Sequence, residues 1–340
     1  MKSLLITGDS LSYNRYDYIN TATPNAADCP VGMDSWSFRI RKSFISSASG
    51  FLYGDQLNIK EPFTHGIGEG IDPTHAFFGD RVVTISPQND AINLEVESKT
   101  GRIVIYLQHR LDNYCRFDVY VDGKLRKKAV DTFGRVENFC GFDIITLELE
   151  CDAAKDLHDI VFCNFEHTEK FPLVTIAGAS VEPRFAAISG QGSRTIKFLL
   201  YHFKERIAKY SPDMLILILG GNDLIFYSEK EYKFYLETFF KQVLTCFPNC
   251  KIATITIPPS AKCLEEIRGV KINSDDDINR LVDKYNAVLE EVSKKNNAIC
   301  IRQKDIFNKI DPSIWRFDNV HLSKKGNDML YQAVCEKIKF

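Results

Sequence analysis

At 340 residues the chain exceeds a usual single domain, so one large or two moderate domains with a sizeable core are expected. Its 43 basic and 45 acidic residues leave a net charge of −2, which removes the electrostatic case for nucleic acid or an anionic membrane surface as partner. No apolar stretch approaches the roughly 18 residues of a membrane span, and a strand beginning at Ser3 leaves no room for a secretory leader, so a cytoplasmic protein is expected.

Ser3-Leu4-Leu5-Ile6-Thr7 is a short apolar run that stops at Gly8-Asp9-Ser10-Leu11. Such a run, closed by a glycine turn, reads as a strand buried on both faces of a parallel sheet. Ser10 then sits just past its carboxyl end, the edge where open α/β sheets bind ligands. It is a nucleophile candidate, although Asp9-Ser10 could equally cap a following helix. Residues 12–34 are irregular and polar, and their place beside Ser10 suggests an active-site wall. Trp36, Ile40 and Phe44 recur at helical spacing and predict the first helix over 35–45.

Residues 46–80 show no clear period. Phe63 to Gly70 carries alternate glycines but neither follows a strand nor opens a helix, so it reads as a plain loop with His65 solvated. From residue 81 the period becomes two, with strands predicted at 81–86, 91–96, 101–108, 116–121, 144–149, 159–165 and 173–177. Asp122-Gly123 is a hairpin signal. Seven short strands without intervening helices read as an antiparallel sandwich or jelly roll.

The α/β pattern resumes at Phe185–Gly190. A helix follows with Ile196, Leu199, Leu200, Phe203 and Ile207 on one face, then the strand 214–219, which runs into Gly220-Gly221-Asn222-Asp223. A helix over 229–246, a strand at 252–257, a polar segment at 260–277 read as a solvated loop, an amphipathic helix over 278–292, a strand at 298–301 and a closing helix over 324–339 complete the chain. Five strands alternating with helices predict an α/β fold, a doubly wound (flavodoxin-like) five-stranded parallel sheet. The expected domains are 1–80 with 179–340, discontinuous, and the inserted β-sandwich or jelly roll at 81–178.

Ten cysteines are scattered from Cys29 to Cys335 without a C-x-x-C pair. Cys246 and Cys250 lack histidines at ligand spacing, and Cys163 with His167 shares a strand face. Both pairs read as packing, with reduced thiols and neither metal nor cofactor expected.

Near the C-terminus stands Phe317-Asp318-Asn319-Val320-His321-Leu322-Ser323. The serine turn, the strand ending around Gly190, Gly220-Gly221-Asn222-Asp223 and Asp318-x-x-His321 fall in the order of the GDSL, or SGNH, hydrolase family, and the chain strongly resembles it. That resemblance implies a triad of Ser10, His321 and Asp318, which matches the need of a serine hydroxyl for an oriented base. It also implies oxyanion donors at the Ser10 N–H, the Gly190 N–H and the Asn222 amide, with Gly192 as a rival to Gly190. Asp223 is expected to brace its turn, and Asp9, Tyr13, Gly192 and Trp315 are expected to contact substrate.

More loosely, 119–178 resembles the jelly-roll module of some carbohydrate esterases and peptidoglycan O-acetylesterases of this family. The implied function is a serine esterase that removes O-acetyl or short acyl groups from a carbohydrate or glycoconjugate. An O-acyltransferase, a lipid esterase or thioesterase, and a carbohydrate-binding protein on an inactive scaffold remain as alternatives. The intact catalytic set argues against the last.

Overall fold

The computed structural model describes residues 1–12, 35–60, 64–65, 81–85, 91–108, 115–132, 144–167, 173–190 and 193–340. Tyr13, Gly192, most of the glycine-rich 63–70 stretch and most of the 12–34 wall lie outside these residues. The chain forms two compact units, Met1–Arg41 with Ala186–Phe340, and Lys42–Phe185.

The chain opens with β1 (Ser3–Gly8), whose Leu4, Leu5 and Ile6 are buried, and after the undescribed stretch comes α1 (Trp36–Ser46).

The second unit is antiparallel throughout its two main sheets. Its strands are β2 (Leu52–Tyr53), β3 (Asn58–Lys60), β4 (Thr64–His65), β5 (Val83–Ile85), β6 (Ala91–Glu97), β7 (Arg102–Gln108), β8 (Cys115–Val121), β9 (Lys124–Asp131), β10 (Ile144–Glu150), β11 (Leu157–His167) and β12 (Val174–Ser180). One sheet has the order β10-β7-β12-β5-β4 with β2 also on β12, and the other the order β3-β6-β11-β8-β9.

Strict alternation in β6 and β8 turns Ile92, Leu94, Val96, Phe117, Val119 and Val121 into one core, where they meet Ile103, Ile105, Ile160 and Phe162. The hairpin between β8 and β9 turns at Asp122 and Gly123, both with positive φ as a type I′ turn requires. All seven predicted strands are present. The unit starts at Lys42 rather than at 81, because β2 pairs with β12 and β3 with β6. These strands of two or three residues are too short to carry a period, which is why the sequence leaves them unassigned.

The first unit resumes with β13 (Phe185–Ile188), α2 (Ile196–Tyr201), α3 (Phe203–Arg206), β14 (Met214–Ile218), α4 (Gly221–Phe226), α5 (Glu229–Cys246) and β15 (Lys251–Ile255). Then come the small hairpin β16 (Glu266–Ile267) and β17 (Val270–Lys271), α6 (Asp275–Lys295), β18 (Ile299–Ile301), α7 (Gln303–Phe307), α8 (Pro312–Trp315) and α9 (Lys324–Lys337). The main sheet has the order β13-β1-β14-β15-β18, with β1, β14, β15 and β18 parallel.

The expected five-stranded α/β sheet is therefore present. The single helix read over 195–207 is two, divided at His202, yet the Arg206 and Ile207 N–H groups still bond His202 and Phe203 carbonyls and the apolar face continues. Ser228 and Ser274 close capping boxes on α5 and α6. The segment 260–277 is no solvated loop: Ile267 and Ile272 are buried in the main core, which draws the hairpin down against α4 and α6.

Candidate active site

β1 ends at Gly8, where φ is +144° and an added Cβ would come within 1.7 Å of the Ile218 carbonyl on β14, so only glycine lets the chain leave the sheet here. The Asp9 N–H donates to that same carbonyl, and the next residues wind into a tight turn. The Asp9 carboxylate accepts the Leu11 N–H at 3.0 Å, while its carbonyl accepts both the Ser12 N–H and the Ser12 hydroxyl. From α1, the Trp36 indole N–H reaches the Leu11 carbonyl at 2.9 Å. Ser10 is thereby held on a turn anchored on both sides.

The histidine segment is built as tightly. Asp318 Oδ1 accepts the N–H groups of Val320 and His321, leaving Oδ2 to accept from His321 Nδ1 at 2.8 Å. A carboxylate in this place fixes the tautomer, so Nε2 is free to accept the Ser10 hydroxyl, also at 2.8 Å. Phe317 and Ser323 N–H groups close the segment onto the His321 and Trp315 carbonyls, and Ser323 caps α9.

Asn222 opens α4 directly after β14; one amide hydrogen goes to the Arg194 carbonyl at 3.1 Å, and the side chain lines the cavity in front of Ser10. Gly190 packs against the nucleophile turn, where a Cβ would fall 1.6 Å from the Ser12 hydroxyl oxygen. Ser10, His321, Asp318 and Asn222 are thus brought together, with Gly190 beside the turn.

Asp9 and Asp223 are buried beneath this group. Burial pushes the Asp9 carboxyl up to about 6 against the Leu11 hydrogen bond, and pushes Asp223 up to about 8, with the Asp9 charge adding to it. Asp223 accepts the Ile196 N–H at the start of α2, so it ties α4 to α2 rather than bracing its own turn. Among the described residues its other oxygen has no hydrogen-bond partner, nor does the Tyr232 hydroxyl.

Trp315 is a correction. It is 2% exposed, stacked on Phe307 at 4.2 Å, and absent from the cavity wall, so it packs the floor of the histidine segment instead of meeting substrate.

Sequence reasoning missed Asn327. Its Oδ1 accepts the Trp36 N–H, and its amide donates to the Leu322 and Ser323 carbonyls, which ties the histidine segment to the helix that holds the serine turn. The signal was available: Asn327, Leu330 and Val334 share the inward stripe of α9, where a polar side chain needs partners. Among the described residues no cluster of metal-ligating side chains occurs, and no helix is long and apolar enough to cross a membrane.

The sheet brings a serine, an imidazole and a carboxylate, hydrogen-bonded in series, to the carboxyl ends of its strands, and these are the groups that a serine-type hydrolase needs. Residues 170–329 match the model of the GDSL-like lipase/acylhydrolase family, and the chain is a carboxylic ester hydrolase. The matched stretch holds Gly190, Asn222, Asp318 and His321, while Ser10 lies far upstream of it.

Solved structures with related folds include a peptidoglycan O-acetylesterase, 11% identical, covering 99% of this chain and 90% of its own at a TM-score of 0.44. The acetyl xylan esterase AlAXEase is 20% identical over 46% of this chain and 82% of its own, at a TM-score of 0.37. Axe2, an acetylxylan esterase from Geobacillus stearothermophilus, is 18% identical over 46% and 74%, at 0.38. No curated protein matches the chain.

Proposed function

We propose that the protein hydrolyses an ester of a short acyl group through an acyl-enzyme on Ser10, with a carbohydrate or glycoconjugate as the alcohol. The observation that carries this reading is the unbroken relay from Ser10 through His321 to Asp318, each link 2.8 Å. In the first half-reaction a bond forms between Ser10 Oγ and the acyl carbon. The serine proton passes to His321 Nε2, and then to the alcohol oxygen as its bond to that carbon breaks. Asp318 stabilises the imidazolium formed in between. In the second half a water gives its proton to the same nitrogen, attacks the acyl carbon and releases the acid, returning the proton to Ser10.

The tetrahedral oxyanion would be met by the N–H groups of Ser10 and Gly190 and by the Asn222 amide hydrogen not committed to Arg194. The carbohydrate half rests on the likeness of the β unit to modules of carbohydrate esterases.

The test is to offer the purified protein p-nitrophenyl acetate and an acetylated oligosaccharide, and to label it with a fluorophosphonate. Turnover, with the label on Ser10 by mass spectrometry and lost in Ser10→Ala, supports the reading. A label elsewhere, or no turnover of any ester, would overturn it.

A further inference from the structure

In front of Ser10 lies a cavity of about 210 Å³ that the relay does not need. Ser10, Asn222 and His321 line it. Most of the remaining wall is apolar, with Leu224, Ile225, Leu264, Ile267, Ile278 and Val282 from α4, the 258–273 segment and α6, interrupted by Ser193, Ser260 and Cys263. Among the described residues no lysine or arginine lines it, and the one carboxylate there, Asp9, is turned to the Leu11 N–H.

A sugar desolvated in such a space would leave its hydroxyls without partners, each a loss an apolar chain does not suffer. For scale, an apolar cavity of about 150 Å³ engineered in a lysozyme admits benzene, six carbons, so this one exceeds what an acetyl methyl requires.

The roof of the cavity is fastened in place. The hairpin of β16 and β17 turns at Arg268 and Gly269, both with positive φ, and the Arg268 guanidinium donates to the Leu224 carbonyl at 3.1 Å. Ser260 and Asn279 exchange two hydrogen bonds between the segment and α6, and the Lys262 N–H reaches Asp275. Ile267 is 3% exposed. An apolar pocket held open by polar ties at its rim is preorganised for an occupant.

We propose that this cavity receives the acyl chain of the substrate, and that the preferred acyl group has about four to eight carbons rather than two. The proposal rests on the acyl-enzyme reading above. The acyl part stays bound through both half-reactions, whereas alcohol and water must pass each other. His321 and Asp318, whose side chains are 21% and 37% exposed, mark the solvent side for that exchange, and the apolar recess suits the group that remains.

The experiment compares kcat/KM for p-nitrophenyl acetate, butyrate, hexanoate, octanoate and laurate, and separately for methyl, butyl and hexyl acetate. Each methylene entering the cavity is worth about a threefold to fourfold gain. Hexanoate is therefore expected to exceed acetate at least tenfold, with laurate falling back and the alkyl acetates showing no such rise. Filling the recess with Leu264→Trp or Ile225→Phe should lower the hexanoate-to-acetate ratio at least tenfold. As a check free of any variant, hexylboronic acid should inhibit the wild type at least tenfold more tightly than methylboronic acid. Acetate turned over fastest, or a rise that follows the alcohol chain instead, would overturn the proposal and leave the esterase intact. Hydrolysis of none of the esters would instead overturn the acyl-enzyme reading.

Discussion

In the proposed mechanism Ser10 and His321 act on one proton, so losing either should cost nearly the whole rate and losing both little more. Ser10→Ala, His321→Ala and the double variant are expected to fall together, each below about a hundredth of wild-type kcat by ester hydrolysis. A double variant much slower than either single would contradict a shared relay. Asn222 differs in kind, because in the proposed mechanism its second amide hydrogen would meet charge that develops only in the transition state. Asn222→Ala should lower kcat roughly 100- to 1000-fold with KM little changed; a raised KM with kcat intact would make it a substrate-binding residue instead. Residue identities at this scale were legible because each chemical group follows a strand end or a short turn. Trp315 was misread because its depth depends on Phe307 and α9, which local sequence does not display.

At the scale of elements, Asp223 joins the first turn of α4 to the first N–H of α2, and the join has an electrostatic cost. Its carboxyl ionises near 3.8 when solvated and about 8 in the fold, so between these values the folded chain holds more protons than the unfolded one. Stability from this group is therefore full below the lower value and falls as pH rises, until the loss is complete above the upper. Asp9 contributes in the same direction over the lower window, up to about 6. Asp223→Asn keeps an oxygen for the Ile196 N–H and removes the charge. Urea titrations should show wild type losing on the order of 1 kcal/mol or more relative to Asp223→Asn between pH 5 and pH 8.5. A difference that stays constant with pH would contradict the buried-acid account. The long helices α1 and α6 were readable from their apolar stripes. The hairpin of β16 and β17 was not, since two-residue strands in a charged stretch carry no period.

At the scale of the whole molecule, we propose that residues 42–185, from the last turns of α1 to the first residue of β13, are a folding module inserted into the other unit. Both of its sheets and the core between them are made from these residues alone. Expressed by itself, this stretch is expected to give a β-type circular dichroism spectrum and one cooperative unfolding transition. A chain that stays unfolded, while the full-length protein folds, would show that the module depends on the rest.

The order of the chemical blocks and the class of each half of the chain were determined by the sequence by itself, which also singled out Ser10, Asn222, Asp318 and His321 as the candidates that the fold brings together. Strand ends, glycine turns and hydrophobic period are local, and they act within a few residues. Only the tertiary structure decided that Asn327 binds the histidine segment to the serine turn, that Trp315 is floor and not wall, and that the polar stretch after β15 roofs an apolar recess. Each of these depends on which distant surface a side chain meets, and burial of Ile267 or Asn327 is a property of that meeting, which no window of sequence contains.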